Sequence, residues 1–284
     1  MADQTEGANI DYSKLEKVID IDKVVSTKAP KLKKWIPGFV LRYLKRTLHE
    51  DDLNYFMSLY GKLQGKPFAE AILSHFKITI NIEGEENMPA DGRVIFASNH
   101  PLGGLDGVAL LNFFNSHYES VKSPVNDVLM NVRQLTNYFI PVNKMGNQSR
   151  EAAGELHDSY AANDAILFFP AGMCSRRIDF AGTIKDLEWK KTFVAKAVQY
   201  QRDVVPVHFI GQNSRFFYGL AYWRKKLGVK LNIEMLYLVD ELYKAKGSTF
   251  TIKVGEKIPY ATFDKKKKNY NEWAEWVKQK VYAI

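Results

Sequence analysis

His100 and Asp106 flank a glycine pair in the run Ser98-Asn99-His100-Pro101-Leu102-Gly103-Gly104-Leu105-Asp106-Gly107. An imidazole can take a proton from a substrate hydroxyl, and a nearby carboxylate can fix its tautomer and stabilise the imidazolium that results. That chemistry is group transfer onto an alcohol. A histidine near an aspartate is more often a structural pair. Gly103 and Gly104, which permit close backbone approach and unusual dihedrals, shift the balance toward a site. A second candidate is Phe168-Phe169-Pro170-Ala171-Gly172-Met173-Cys174-Ser175-Arg176-Arg177. Amides beside a glycine, followed by two guanidinium groups, suit an anionic headgroup or a phosphate; the plainer reading is a Pro-Gly turn with surface arginines. Ile140-Pro141-Val142-Asn143-Lys144 offers a further cation by the same geometry. Cys174 is the single cysteine and adjoins no histidine, so neither a disulfide nor a thiol nucleophile is expected. The six histidines are scattered without metal-ligand spacing, and no metal is expected.

These segments need elements to position them. The first ten residues read as a tail, and the stretch from 11 to 76 reads as helical: Tyr12 to Val25, Leu32 to Leu48 around a Pro-Gly break, Asp51 to Leu63, and Pro67 to Phe76 opening on a proline. At Ile78-Thr79-Ile80-Asn81-Ile82 the period changes to two, that of a half-buried strand. Apolar runs at Val94 to Ala97, Tyr138 to Val142, Ala165 to Phe169, Val204 to Phe209, Ile233 to Leu238 and Phe250 to Val254 read as further strands. Gly107 to Phe114, Pro124 to Leu135, Ser149 to Ala161 and Leu187 to Tyr200 carry helical periodicity between them, and Tyr270 to Tyr282 closes the chain as an amphipathic helix. The expected fold is α/β, a mainly parallel or mixed sheet of about seven strands flanked by helices, with residues 77–284 as the catalytic domain. In such sheets the loops beyond the carboxyl ends of the strands form the site, so the candidate segments can converge on one cleft.

The formal net charge is +8, unevenly spread. From Lys28 through Arg46 seven cations and no acid interleave with Trp35, Phe39 and other apolar residues, and Val204 to Ile233 is a second acid-free stretch. Lys34, Trp35, Phe39, Arg42, Phe216, Phe217, Trp223 and Arg224 are the candidate membrane contacts, because cations near an anionic leaflet and rings at the headgroup boundary both favour binding. The competing reading is two core-packed amphipathic helices with solvated lysines. Nucleic acid also attracts such surfaces, but no recognised binding signature is present and none is expected as partner. No run is long and apolar enough to span a bilayer, and the amino terminus has no secretory pattern, so a soluble or peripheral protein is expected.

Taken together, the strand-end segments resemble the glycerolipid acyltransferase superfamily, whose blocks in order are Asn-His-x4-Asp, a block ending in a cation, Phe-Pro-Glu-Gly and Val-Pro-Val. Here they are Asn99-His100 with Asp106, Pro141 to Lys144, Phe169 to Gly172, and Val205-Pro206-Val207. The resemblance covers about residues 70–260. Five residues rather than four separate His100 from Asp106, and Ala171 stands in place of the glutamate. The form Asn-His-Pro-Leu-Gly-Gly-Leu-Asp-Gly is similar to the bacterial haemolysin-like and aminolipid branch, which O-acylates 3-hydroxyacyl amino acids to make glycine or ornithine lipids. The resemblance implies His100 as base and Asp106 as its partner. Asn99, Gly103, Gly104, Lys144, Pro170, Gly172, Arg176 and Arg177 become the substrate-binding residues. It further implies acyl-CoA or acyl carrier protein as donor without a cofactor, a lipid acceptor, and a place on the cytoplasmic face of the inner membrane. The alternatives are acylation of 1-acylglycerol 3-phosphate and a non-catalytic membrane-binding protein that keeps the fold.

Overall fold

In the computed structural model, residues 11–12, 15–28, 30, 35–126, 129–142 and 150–284 are described. Two units divide after Leu63. The first holds α1 (Ile21–Lys28), α2 (Gly38–Thr47) and α3 (Glu50–Tyr60). Glu50, Asp51 and Asp52 place negative charge in the first turn of α3, where the helix dipole favours it. Glu50 is buried, accepting from the Ile21 amide (2.9 Å) and Lys17 Nζ (3.2 Å), while the Asn54 side chain bridges both backbone groups of Ile19. The expected tail at 1–10 lies outside the described residues, and the Tyr12 to Val25 helix is shorter than expected, beginning at Ile21.

The second unit begins with α4 (Lys66–His75), so the boundary expected near residue 76 falls earlier. The physical reason is burial: Phe68, Ala69 and Leu73 of α4 have no solvent face and pack within the sheet-bearing unit. From there the strands are β1 (Thr79–Glu83), β2 (Val94–Ser98), β3 (Val121–Val125), β4 (Phe139–Pro141), β5 (Ala165–Phe168), β6 (Arg176–Arg177), β7 (Ile184–Lys185), β8 (Asp203–Ile210) and β9 (Thr249–Val254). The helices are α5 (Leu105–Phe114), α6 (Arg150–Ala161), α7 (Thr192–Tyr200), α8 (Arg215–Lys226), α9 (Leu238–Lys244) and α10 (Tyr270–Val281).

The sheet has seven strands in the order β1-β9-β8-β2-β5-β3-β4, with β6 and β7 forming a separate ribbon. Strands β8, β2, β5, β3 and β4 are mutually parallel, and the antiparallel β8–β9 pair makes the sheet mixed. All five residues of β2 are buried, as a central strand covered on both faces requires. Ile95 and Ala97 face a core built with Trp189, Phe193, Trp273 and Val277, whereas Phe96 points to the other face and stacks on Phe114 of α5 at 4.0 Å between centroids.

Two expected elements differ. Ile233 to Leu238 forms a 3-10 turn, Ile233–Tyr237, leading into α9, because a short apolar run reads equally as a strand or as a buried helical turn. Pro124 to Leu135 begins inside β3, whose alternating burial matches a strand, and continues as 3-10 turns at Leu129–Asn131 and Arg133–Tyr138. The strand count survives because β3 replaces the strand expected at 233–238. Of the helix expected from Leu187, only the part from Thr192 onward is helical.

Candidate active site

The loop leaving β2 carries His100 out of the centre of the sheet, at the end where β5 and β8 also deliver their loops. Asp106 lies in the first turn of α5, so the carboxylate rises from the helix while the histidine stands at the strand end. The intervening residues turn back on themselves. Gly103 has φ +74°, and a Cβ there would meet the Cys174 Cβ at 2.9 Å, so both the conformation and the space require glycine. The result is a 3.0 Å contact between His100 Nδ1 and Asp106 Oδ2. The additional residue relative to the family spacing is taken up by this turn.

Asp106 is completely buried. Its oxygens accept from the amides of Leu102 (2.9 Å), Gly104 (3.1 Å) and Gly107 (2.9 Å), with Gly103 at 3.4 Å. Burial pushes its carboxyl up, but the His100 charge, the His100 hydrogen bond and the amides of Leu102 and Gly107 together outweigh burial and hold it below the usual carboxylate range. An ionised Asp106 fixes the proton on Nδ1 and makes Nε2 the basic nitrogen of the neutral ring. Phe169 lies against the imidazole at 4.1 Å between centroids and limits its rotation.

A second carboxylate supports this arrangement, and no local pattern in the chain points to it. Asp186 is buried; it accepts from the His100 amide (3.2 Å), Ser175 Oγ (2.6 Å) and Trp189 Nε1 (2.9 Å). It thereby ties the His100 loop to the loop after β5, where Ser175 N also donates to His100 O (2.7 Å). Burial raises the Asp186 carboxyl despite these donors.

His100 lines an apolar cleft of about 470 Å³ together with Gly103, Gly104, Pro170 and Gly172. The pairing of β3 with β5 ends at Lys122–Ile166, and Ser123, Pro124 and Val125 on one side and Leu167 and Phe168 on the other then line the cleft beyond that point. It extends past Gly107 and Leu111 of α5 toward Leu156 and Tyr160 of α6 and Lys196 of α7.

Not every expected binding residue reaches this cleft. Asn99 is buried, with Nδ2 donating to Phe209 O (2.9 Å) and Oδ1 accepting from Phe209 N (2.7 Å), so it clasps β8. Arg176 is also buried, donating to Glu234 Oε1 (3.0 Å) and to Cys174 O (2.9 Å). Arg177 donates to the carbonyls of Asp179 and Phe180 in its own ribbon and stacks over Tyr222. Lys144 lies outside the described residues. The cations that do line the cleft, Lys190 and Lys196, carried no block signature in the sequence. Cys174 is buried and its thiol is raised by burial, in keeping with a thiol that does no chemistry. Among the described residues no cluster has the donors for a metal ion.

Of the expected membrane contacts, Trp35, Phe39, Phe216 and Trp223 are exposed. Phe217 is fully buried and Arg224 is paired with Glu234 at 2.7 Å, because α8 turns that side inward onto Cys174 and the 3-10 turn. Lys34 lies outside the described residues, and Arg42 is exposed on α2.

A family described as "Acyltransferase" matches residues 23–284. A lyso-glycine lipid O-acyltransferase of Bacteroides thetaiotaomicron is 48% identical over 268 residues, covering 94% of this chain and 97% of its own. One of the same description from Phocaeicola vulgatus is also 48% identical, covering 94% and 95%. Among solved structures, the 1-acyl-sn-glycerophosphate acyltransferase PlsC of Thermotoga maritima aligns with a TM-score of 0.47 at 17% identity, over 85% of this chain and 94% of that one.

Proposed function

The chain belongs to the acyltransferase family and is an O-acyltransferase of lipid metabolism, and on that premise we propose that it esterifies the hydroxyl of an N-(3-hydroxyacyl)glycine, the lyso form of a glycine lipid. The carrying observation is the His100 Nδ1–Asp106 contact at the mouth of an apolar cleft. His100 Nε2 takes the acceptor proton as the hydroxyl oxygen attacks the thioester carbonyl. The C–O bond forms, the C–S bond breaks, and the imidazolium returns the proton to the departing thiolate. Asp106 stabilises the imidazolium between those steps. Acyl-CoA and acyl carrier protein both carry the required thioester. Arg176 and Arg177 are committed to protein partners and serve as anion clamps for neither a phosphate nor a carboxylate; the carboxylate-bearing acceptor is supported by the two relatives described as lyso-glycine lipid O-acyltransferases.

The enzyme works at a membrane surface, where its lipid acceptor resides. Exposed Trp35 and Phe39 in the first unit, and Phe216, Trp223, Leu227 and Leu231 in the second, support that placement. Among the described residues no helix is long and apolar enough to cross a membrane. The test is His100→Ala in a purified assay with an acyl thioester and N-(3-hydroxyacyl)glycine. Turnover is expected to fall by at least about 10²- to 10⁴-fold with fold and vesicle binding intact. Unchanged product formation would exclude His100 as base.

A further inference from the structure

A second apolar cleft, of about 610 Å³, adjoins the first. It is lined by Ile72 of α4, Val108 of α5, Val132 and Leu135 of the 3-10 turns, and Val239 and Ala245 at α9. The two clefts share Gly103, Gly104 and Leu129, so they meet at the turn that sets His100 against Asp106. Within α5, Gly107 and Leu111 face the first cleft and Val108 the second. The helix reads Leu-Asp-Gly-Val-Ala-Leu-Leu-Asn-Phe-Phe, and beyond Asp106 and Asn112 it offers apolar residues on several faces, so it can wall a cavity on either side.

Acyl transfer between lipids joins two hydrocarbon chains at one oxygen, so two chains must diverge from His100 at the moment of reaction. We propose that the second cleft holds the amide-linked chain of the acceptor lysolipid, while the first receives the acyl chain of the donor. This rests on the acyltransferase reading above and adds a subsite to it. The direction follows from the surroundings of each cleft. Ser214, on the wall of the second, is the N-cap of α8, and Leu238 and Val239 on the same wall open α9. Between them the chain exposes Phe216, Trp223, Leu227, Leu231 and Leu236, the apolar surface through which a membrane-dissolved acceptor would arrive. The first cleft carries Lys190, an exposed cation suited to the phosphate that a thioester carrier bears, whereas Lys244 at the second is held by Asp240 and Glu241.

Val239→Trp and Ala245→Trp each narrow the second cleft only, and Leu156→Trp narrows the first only. The full-length enzyme is assayed with long- and short-chain N-(3-hydroxyacyl)glycines and with long- and short-chain acyl-CoA donors, each variant first matched to the parent by circular dichroism and melting. In Val239→Trp and Ala245→Trp the kcat/KM preference for long over short acceptors should fall about tenfold or more, because the long chain loses apolar contact that the short one never made. The donor preference should shift instead in Leu156→Trp. A donor preference that moves with Val239→Trp, or an acceptor preference unmoved in both folded variants, would overturn the assignment. Failure of the parent to acylate any N-(3-hydroxyacyl)glycine overturns the acceptor headgroup instead, and long- and short-chain lysolipids of another headgroup then read the cleft.

Discussion

At the scale of single residues, the site depends on one carboxylate held ionised in a place where burial alone would neutralise it. Asp106 is kept below its ordinary range by His100 and by backbone amides, so ionisation is favoured in the fold relative to the unfolded chain. A group lowered in this way contributes stability that is present above the unfolded carboxylate pKa of about 4 and is lost as pH falls through the folded value. Asp106→Asn removes that contribution and sets an NH₂ group among N–H donors. Urea unfolding should therefore show the largest gap between parent and variant at neutral pH, narrowing below about pH 4; a gap independent of pH would mean that the charge has no stabilising part. Asp186 has the opposite sign, since burial raises its carboxyl. Its role is positional: Asp186→Asn must turn an NH₂ toward either Trp189 Nε1 or the pair formed by Ser175 Oγ and the His100 amide. The His100–Asp106 pair was legible because both residues belong to one short run. Asp186 was not, because it lies 86 positions from His100 in a segment whose apolar and charged residues resemble any surface strand.

Elements then decide which side chains are available to a substrate. The third block stands in its expected order, and the loop after β5 does reach the cleft through Pro170 and Gly172. Its arginines do not, because the run Ile233–Tyr237 is a 3-10 turn that turns Glu234 inward, fully buried, between Arg176 and Arg224. Periodicity cannot separate a six-residue strand from such a turn, and the partner of a buried charge is invisible until the chain is folded. Glu234→Ala would leave the buried Arg176 and the partly buried Arg224 without their carboxylate, and removing one partner from a buried pair typically costs about 3–5 kcal/mol. The expected outcome is a marked loss of thermal stability, with the β6–β7 ribbon and α8 losing amide-exchange protection first. Equal loss across the central sheet would argue against a local role. The strand pattern itself is readable at β2, β5 and β8, where runs of apolar and β-branched residues coincide with buried strands, and at β1 and β9, where alternation coincides with one more sheltered face. β3 was hidden by Pro124, which reads as a helix start although it sits within a strand.

For the whole molecule, charge and exposed apolar surface act through different ranges. The excess of +8 attracts an anionic leaflet over about a Debye length, and each cation near the surface contributes about 1 kcal/mol that added salt removes. Exposed rings and leucines act only on contact, and their contribution resists salt. Trp35, at 85% exposure, and Leu227 and Leu231, at 78% and 73%, are far more open than large apolar residues of a core-packed helix would be. Flotation with vesicles containing anionic lipid should therefore show two separable components. Raising the ionic strength should weaken binding of the parent without abolishing it. Trp35→Ser with Phe39→Ser, and separately Phe216→Ser with Trp223→Ser and Leu231→Ser, should each remove part of the salt-resistant fraction. Turnover of acceptor embedded in vesicles should fall more than turnover of acceptor dispersed in detergent, because the substitutions alter delivery to the cleft and leave the His100 loop untouched. Binding that persists at high salt after both sets of substitutions would show that these surfaces do not meet the bilayer. The second acid-free stretch would then be explained by α8 packing alone, with Phe217 and Tyr218 against Cys174, Arg224 paired with Glu234, and Lys225 and Lys226 left to solvent.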